Sequence, residues 1–237
     1  MKSLDDVVAD FGLDEAQAAA LSTYLDLLLG WRRGNITAVR SRAEAVDRLL
    51  ADSLAILDVP ALQDVGPHWL DLGAGAGVPG IPLAVARPAA RMTLLESAAG
   101  KCAFLEEAVT AAGLTGRAGV VHARSEEFAA PAGGGREVFD VVFARALAGL
   151  ASVVELAAPL LATGGVLLAV KTARGAEQEA PAGELAAGRC GLLPSGTVAL
   201  SRSPLAESAC AVFRKREPAP EWLPRRPGLA TRRPLAC

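Results

Sequence analysis

The 237-residue chain has few of the side chains on which acid–base, nucleophilic and metal-dependent catalysis usually rely. It contains two histidines, His68 and His122, and four cysteines, none of which forms a C-x-x-C pair or has a histidine close by in sequence. The spacing of a zinc site is therefore missing. We expect reduced, structural thiols, structural histidines and no metal.

Long hydrophobic runs and aromatic residues are also scarce. No apolar run approaches the roughly 18 residues that a membrane-spanning helix needs, and the acidic start of the chain, residues 1–6, does not fit a signal peptide. These absences predict a cytoplasmic protein with no membrane partner. Aromatic residues make up 4% of the chain, so we expect little recognition of nucleic acid by base stacking, with Trp31 and Trp222 as candidate exceptions.

The apolar residues that are present divide the chain into three parts. Residues 1–60 carry them at helical spacing and predict an N-terminal helical cap. Residues 61–217 alternate between strand and helix patterns, which predicts a mostly parallel sheet covered on both faces and ending in an antiparallel edge hairpin. Residues 218–237 form a tail rich in proline and arginine. The seven predicted strands lie near 68–72, 91–96, 118–122, 138–143, 164–170, 196–200 and 208–214.

The most informative segment is 69–80, where a short apolar strand and Asp71 are followed by four glycines within eight positions. Glycine accepts positive φ and lets a ligand approach the main chain at the carboxyl end of a strand. From Gly75 the segment matches G-x-G-x-x-G, the dinucleotide fingerprint. Pro79, however, offers a phosphate no N–H, and the Asp71 carboxylate would repel a pyrophosphate. S-adenosylmethionine (SAM), which carries a sulfonium and an ammonium, is attracted by the same carboxylate, so the turn favours SAM over NAD.

A second acidic residue, Glu96, ends the second predicted strand. It lies 23 residues after Gly73, near the offset of about 20 at which a ribose-binding acid occurs. The alternative is that Glu96 and Ser97 cap the next helix. Both roles are compatible, and we assign Glu96 to the ribose of the cofactor.

Further motifs run almost from end to end of the chain. The residues that carry them are Trp31, 35–40, 51–54, 71–82, 93–97, 100–101, 104–105, 124–128, 144–146, Lys171, 224–228 and 232–235. In these segments the chain resembles the bacterial small-subunit ribosomal RNA guanine-N7 methyltransferase family, called RsmG or GidB. The long glycine run with prolines at 79 and 82 is far more specific than a bare G-x-G-x-x-G. The chain departs from the family pattern at Leu49, where histidine is frequent, and at Thr172, where glycine is frequent.

The resemblance implies a Rossmann-like class I SAM-dependent methyltransferase fold with a mostly parallel seven-stranded sheet, an antiparallel edge strand and an N-terminal helical cap. It implies SAM as cofactor and 16S rRNA or a small ribosomal subunit particle as partner. We also expect a monomer. The implied cofactor contacts are Gly73, Gly75, Val78, Glu96, Ser97, Ser125, Glu126 and Arg145.

Guanine N7 carries an in-plane lone pair, so its methylation requires no general base. The segment after the fourth predicted strand, residues 144–147, lacks the Asn/Asp-Pro-Pro-aromatic motif usual for exocyclic amines, and it lacks the cysteine used in methylation of pyrimidine carbon 5. Arg145 is the candidate catalytic residue, because a guanidinium can align the cofactor or the guanine. The alternative is a helix-entry residue paired with a surface acid.

Basic residues are concentrated in two regions although the net charge is −2. Residues 201–237 contain eight basic and three acidic side chains, and residues 31–48 contain five and two. We expect the tail to be non-helical, extended and mobile until it binds RNA, with a solubility role as the alternative. Lys171 contacts phosphate or is merely solvated. The predicted RNA-binding residues are Arg32, Arg33, Arg40, Lys171, Arg225, Arg226, Arg232 and Arg233.

The sequence favours one function and is compatible with three competing ones. The favoured function is SAM-dependent methylation of guanine N7 in small-subunit rRNA. The competing functions are a SAM methyltransferase for a small molecule, an NAD-dependent oxidoreductase, and a non-catalytic RNA-binding or ribosome-assembly protein.

Overall fold

The computed structural model describes residues 2–236. Its N-terminal region is helical. Helix α1 spans Leu4–Phe11 and helix α2 spans Glu15–Gly30. Ser3 and Asp14 begin them as capping boxes, in which the side chain of the capping residue and that of the residue three positions later each accept a hydrogen bond from the other's backbone. The predicted N-terminal helical cap is confirmed.

The connection from the cap to the sheet is helical in short pieces rather than as one regular helix. It consists of α3 (Arg42–Ala45), a π-helical turn (Val46–Ala51), α4 (Asp52–Leu54) and two 3₁₀ turns (Ala55–Asp58 and Pro60–Leu62). π-Helical turns are rare and are frequent at functional sites. This one leads directly into Asp52, whose side chain is buried.

A seven-stranded sheet follows, in the order β3-β2-β1-β4-β5-β7-β6. Strands β1 to β5 are parallel, whereas β7 is antiparallel to both β5 and β6. The predicted mostly parallel sheet with an antiparallel edge is confirmed. The strands are β1 (His68–Leu72), β2 (Arg91–Glu96), β3 (Ala118–His122), β4 (Phe139–Arg145), β5 (Leu161–Thr172), β6 (Leu192–Ala199) and β7 (Ser208–Lys215).

Six further helices accompany the strands. They are α5 (Gly80–Ala86), α6 (Ala99–Ala111), α7 (Ser125–Phe128), α8 (Leu150–Ala157), α9 (Ala173–Arg189) and α10 (Leu229–Arg232). Among residues 2–236, no helix combines the length and the apolar character needed to cross a membrane.

Two hydrophobic cores cover the sheet, and neighbouring residues of one strand alternate between them, as Leu94 and Leu95 do in β2. The first core joins the N-terminal helices to α5 and α6. The second joins α8 and α9 to the residues after 218. The carboxyl ends of β1, β2 and β4 therefore lie between two fixed layers, at the edge where ligands bind in open α/β sheets.

The tail differs from its sequence prediction. Leu223, Ala230 and Ala236 are buried in the second core, and residues Leu229–Arg232 form helix α10. The hydroxyl of Ser152 on α8 donates to the carbonyl of Ala230 at 2.8 Å. The prediction of an extended, non-helical, mobile tail is wrong, because small apolar side chains and shared hydrogen bonds fix the segment against α8.

Candidate functional site

The glycine turn after β1 is held open at its centre. Gly73 and Gly75 have φ values of +75° and +56°, which favour glycine. The N–H groups of Gly73 and Ala74 both donate to the carbonyl of Leu95, at 2.9 and 3.0 Å, and this pair of bonds joins the turn to the end of β2. A Cβ atom on Gly73 would lie 2.7 Å from Cδ1 of Leu147, whereas one on Gly75 would meet only a carbonyl oxygen at 3.8 Å. The backbone at Gly75 is thus open to a ligand.

Glu96 lies beside this turn with its carboxylate directed at backbone donors. Its Oε2 accepts from the N–H of Gly75 at 3.0 Å, and its Oε1 accepts from the N–H groups of Ser97 and Ala98, both at 2.8 Å. A carboxylate has about four lone-pair sites. Three are used, so the arrangement leaves acceptor capacity for a ligand hydroxyl. The alternative that Glu96 and Ser97 cap the next helix is wrong, because the N-cap residue of α6 is Ala98 and no side chain caps that helix.

The position of Asp71 at the end of β1 suggests a contact with the cofactor, but its carboxylate binds the protein backbone instead. Its side chain is buried, and Oδ2 accepts from the N–H of Gly80 at 2.8 Å at the start of α5. Burial raises the pKa of Asp71 to about 7, against the lowering effects of this hydrogen bond and of Arg145. Asp71 therefore braces the far end of the glycine turn, and Glu96 is the carboxylate at its open centre. Val78, also a predicted contact, lies half-buried in the same turn.

A first cavity of about 120 Å³ opens at the ends of β1, β2 and β3. It brings together four of the eight predicted cofactor contacts, Gly73, Ser97, Ser125 and Glu126. The other four do not line it: Gly75, Val78 and Glu96 lie in or beside the adjoining glycine turn, and Arg145 lines a different cavity. We call this first cavity the cofactor cavity. Sequence reasoning missed its other lining residues, among them Leu147 after β4 and the tail residues Gly228 and Thr231.

Glu126 connects this cavity to the tail. Its Oε1 accepts from the N–H of Gly228 at 2.6 Å, and its Oε2 accepts from the hydroxyl of Ser125 at 3.0 Å. A separation of 102 residues divides Glu126 from Gly228. No local pattern in the sequence indicates this contact.

A second cavity of about 290 Å³ lies at the ends of β4 and β5. Arg145, Lys171 and Asp52 line it, and we call it the acceptor cavity. Arg145 and Ala146 belong to its wall, whereas the next residue, Leu147, belongs to the wall of the cofactor cavity. Ala146 has a φ of +51°, a region that non-glycine residues seldom adopt. The turn 145–147 thus stands between the two cavities.

Arg145 is fixed by a buried partner. Its Nη2 lies 2.7 Å from Oδ2 of Asp52 and donates to the carbonyl of Arg48 at 2.7 Å. The side chain of Asp52 is only 2% exposed, and its Oδ1 also accepts from the hydroxyls of Ser203 and Ser208, each at 2.6 Å. Arg145 does pair with an acid, but that acid is buried, whereas the hypothesis of a helix-entry residue placed it at the surface. The guanidinium consequently has a defined orientation.

Lys171 is engaged within the protein. Its ammonium donates to the carbonyl of Ala148 and to Oε2 of Glu179, both at 2.8 Å. Thr172, the position at which the chain departs from the family pattern, caps α9 by accepting from the N–H of Gly175 at 3.0 Å. The phosphate role of Lys171 gains no support from these contacts.

The predicted RNA-binding arginines fall into two groups. Arg32, Arg33, Arg40, Arg226, Arg232 and Arg233 are exposed. Arg225 differs, because its Nε and Nη2 form a two-point contact with the carboxylate of Glu155 at 2.6 and 2.5 Å, and the Glu155 side chain is 2% exposed. Of the two tryptophans, Trp31 is buried against Phe104 and Trp222 is 48% exposed.

Metal-binding clusters do not occur in the described part of the chain: residues 2–236 contain no group of three or more His, Cys, Asp or Glu side chains placed to hold an ion.

Solved structures share the fold. A TehB-like SAM-dependent methyltransferase from Corynebacterium glutamicum matches with a TM-score of 0.53 and 16% identity, covering 73% of this chain and 92% of that one. The cyclase SpnF matches with a TM-score of 0.54 and 16% identity, covering 85% and 96%. The fold is therefore that of the class I SAM methyltransferases, and it does not by itself define a reaction.

Sequence relatives are more specific. A protein named ribosomal RNA small subunit methyltransferase G from Carboxydothermus hydrogenoformans is 35% identical over 96% of this chain and 96% of its own length. One of the same name from Stenotrophomonas maltophilia is 43% identical over 76% of this chain and 82% of its own. The family model described as GidB, rRNA small subunit methyltransferase G, matches residues 17–190. The chain belongs to the GidB family of small-subunit rRNA methyltransferases.

Proposed function

We propose that the protein is a SAM-dependent methyltransferase that acts on N7 of one guanine in 16S rRNA, as free rRNA or within a small-subunit particle. The observation that carries the proposal is the pair of cavities on either side of the turn 145–147, one beside the glycine turn and the other lined by Arg145. Such an arrangement suits transfer of a group between two bound molecules. Relatives that cover nearly the whole chain are named as small-subunit rRNA methyltransferases.

The residues present fit SAM. The glycine turn leaves open backbone at Gly75, and Glu96 retains acceptor capacity next to it for the ribose hydroxyls. Ser97, Ser125 and Glu126 supply polar groups in the adjoining cofactor cavity. When bound, SAM supplies an electrophilic methyl group on a sulfonium. The role of this chain is to hold the cofactor in the cofactor cavity and to exclude water around it.

The acceptor cavity fits an orienting mechanism. Guanine N7 attacks through its own lone pair, so orientation is the main requirement, and a well-aligned reaction gains roughly 7–11 kcal/mol from becoming effectively unimolecular. Both contacts of Arg145 to Asp52 and Arg48 use Nη2, and a guanidinium carries five N–H donors in a fixed fork. Arg145 aligns the guanine through the donors that face the cavity.

The exposed arginines of residues 32–40 and 226–233 are proposed to bind the phosphates of the RNA. Arg225 is excluded from this set because its guanidinium is occupied by Glu155. Trp222 retains an exposed ring that is available for stacking on a base. We further propose that the protein acts in the cytoplasm as a monomer.

The test is transfer of a tritiated methyl group from SAM to small-subunit particles that lack the modification, followed by nuclease digestion and mass mapping of the labelled nucleotide. A single 7-methylguanosine is the expected product. Arg145→Met is expected to abolish transfer while retaining SAM affinity, because the Arg145 side chain is held by Asp52 and Arg48 and lines the acceptor cavity. Protein that binds SAM and RNA but transfers no methyl group would instead support a non-catalytic assembly role.

An NAD-dependent oxidoreductase and a small-molecule methyltransferase would each give a different result. Calorimetric titration with SAM and with NAD distinguishes a methyltransferase from an oxidoreductase. Label that reaches small molecules of a cell extract but never rRNA would indicate a small-molecule methyltransferase.

A further inference from the structure

We infer that the tail segment 224–236 is a wall of the cofactor cavity and that Arg225 is the residue that positions it, so that this arginine serves SAM binding rather than RNA binding. The inference rests on the proposed function for the identity of the cofactor. It reassigns a residue that its basic, proline-rich surroundings placed on the RNA surface.

The wall itself consists of Gly228 and Thr231. Both line the same cavity as Gly73, Ser97 and Ser125. The N–H of Gly228 reaches Oε1 of Glu126 at 2.6 Å. The tail thus contacts α7 beside the cavity, and a ligand held by the residues at the start of α7 meets the tail on its other side.

The anchor of this wall is the contact between Arg225 and Glu155. Glu155 lies in α8 with its side chain 2% exposed, and Arg225 meets both of its carboxylate oxygens. Nη2 of Arg225 also donates to the carbonyl of Arg233 at 2.8 Å, which ties the two ends of the segment together. A buried carboxylate without its partner is strongly unfavourable. The ion pair therefore holds 225–233 in one position relative to α8.

Other contacts restrict the segment without reaching the cavity. Arg136 donates to the carbonyl of Leu223 at 2.7 Å, and Arg189 donates to that of Leu235 at 2.6 Å. Ala230 and Ala236 are buried. The segment is consequently attached on both sides of Gly228 and Thr231, which is the condition for a fixed wall rather than a loose strand.

Arg226 provides a matched control. It is the next residue, has the same chemistry, and is exposed. If the tail serves only RNA, loss of either arginine weakens RNA binding and leaves SAM affinity unchanged. If the tail is a wall of the cofactor cavity, the two variants differ: loss of Arg225 weakens SAM binding, and loss of Arg226 weakens RNA binding.

The experiment measures SAM affinity by calorimetry in the full-length wild-type protein and in Arg225→Met, Arg226→Met and Thr231→Phe. We expect the dissociation constant for SAM to rise at least tenfold in Arg225→Met and in Thr231→Phe, and to stay within twofold in Arg226→Met. Thr231 is exposed and takes no part in the ion pair. Its replacement tests the wall even if Arg225→Met does not fold.

Hydrogen exchange gives a second measure that does not depend on activity. Amides of residues 225–233 are expected to gain protection when SAM is added to the wild-type protein. Wild-type SAM affinity in both Arg225→Met and Thr231→Phe, with no added protection of this segment, would overturn the inference. A different result would refute the proposed function alone: the variants change SAM affinity as expected, but the wild-type protein transfers no methyl group to rRNA. The two failures are therefore distinguishable.

Discussion

Replacement of Asp52 by asparagine tests the acceptor cavity most directly. The Asp52 carboxylate receives hydrogen bonds from Ser203 and Ser208 at 2.6 Å and faces the guanidinium of Arg145 at 2.7 Å. Asparagine preserves the shape and can still accept from the serines, but its amide group presents hydrogens to a cation. The ion pair is lost while the packing is retained.

The expected loss of stability depends on how deeply the ion pair between Asp52 and Arg145 is buried. Breaking a fully buried ion pair costs about 3–5 kcal/mol, but Arg145 is 18% exposed and keeps its bond to the carbonyl of Arg48, which reduces the loss. We expect the free energy of unfolding to fall by about 2–3 kcal/mol. For a chain of this length that corresponds to a decrease in Tm of roughly 5–10 °C.

Asp58→Asn is the matched control, because Asp58 also pairs with an arginine, Arg202, but both side chains are about two-fifths exposed. An exposed pair contributes about 0–1 kcal/mol. Methyl transfer under saturating SAM should drop at least tenfold in Asp52→Asn, with SAM affinity unchanged, since Asp52 lies outside the cofactor cavity. Equal unfolding free energies for the two variants, with full transfer activity in both, would refute the argument.

Three further predictions follow from the described contacts. Gly73→Val should reduce SAM binding below detection, because its φ of +75° disfavours a side chain and its Cβ would lie 2.7 Å from Leu147; Gly188→Ala, which has open space around it, should bind normally in the same calorimetric assay. Since burial raises the pKa of Asp71 to about 7, the folded protein retains a proton that the unfolded chain releases near pH 4. Its unfolding free energy in urea should therefore decline as pH rises from about 4 to 7, and a decline of the same slope in Asp71→Asn would contradict this assignment. Neutralising Arg226, Arg232 and Arg233 together should lower the salt dependence of RNA binding measured by filter retention, whereas Lys171→Met, whose ammonium is already paired, should leave that slope as in the wild type.

The sheet and the cap can be predicted because their signals are local. Strand-length apolar runs and helical periodicity depend on neighbouring residues. The turn of residues 73–80 contains glycine at positions where φ is positive, which other residues seldom adopt. The extent of the strands is less evident from the sequence. Strand β5 begins at Leu161 rather than near 164, and β6 begins at Leu192 rather than near 196, with a bulge between Pro194 and Thr197.

The parts that sequence reasoning missed depend on contacts between distant residues. Asp52 and Arg145 meet only because the connection between the cap and the sheet packs against the end of β4. The prediction for the tail is wrong for a similar reason. A segment rich in proline and arginine indicates an extended, solvated chain unless a buried acid pairs with one of its arginines. The sequence around Glu155 does not indicate that this residue of α8 is buried and pairs with Arg225. The position of Asp71 after a strand suggests a ligand contact, but it does not reveal that the carboxylate faces the start of α5.

The position of Gly228 and Thr231 in the cofactor cavity also orders events during protein synthesis. Both residues are translated after every strand of the sheet, so a ribosome must add them before the cavity acquires its last wall. A premature stop codon between residues 216 and 227 would therefore leave the residues of all seven strands in place and remove this wall of the cavity.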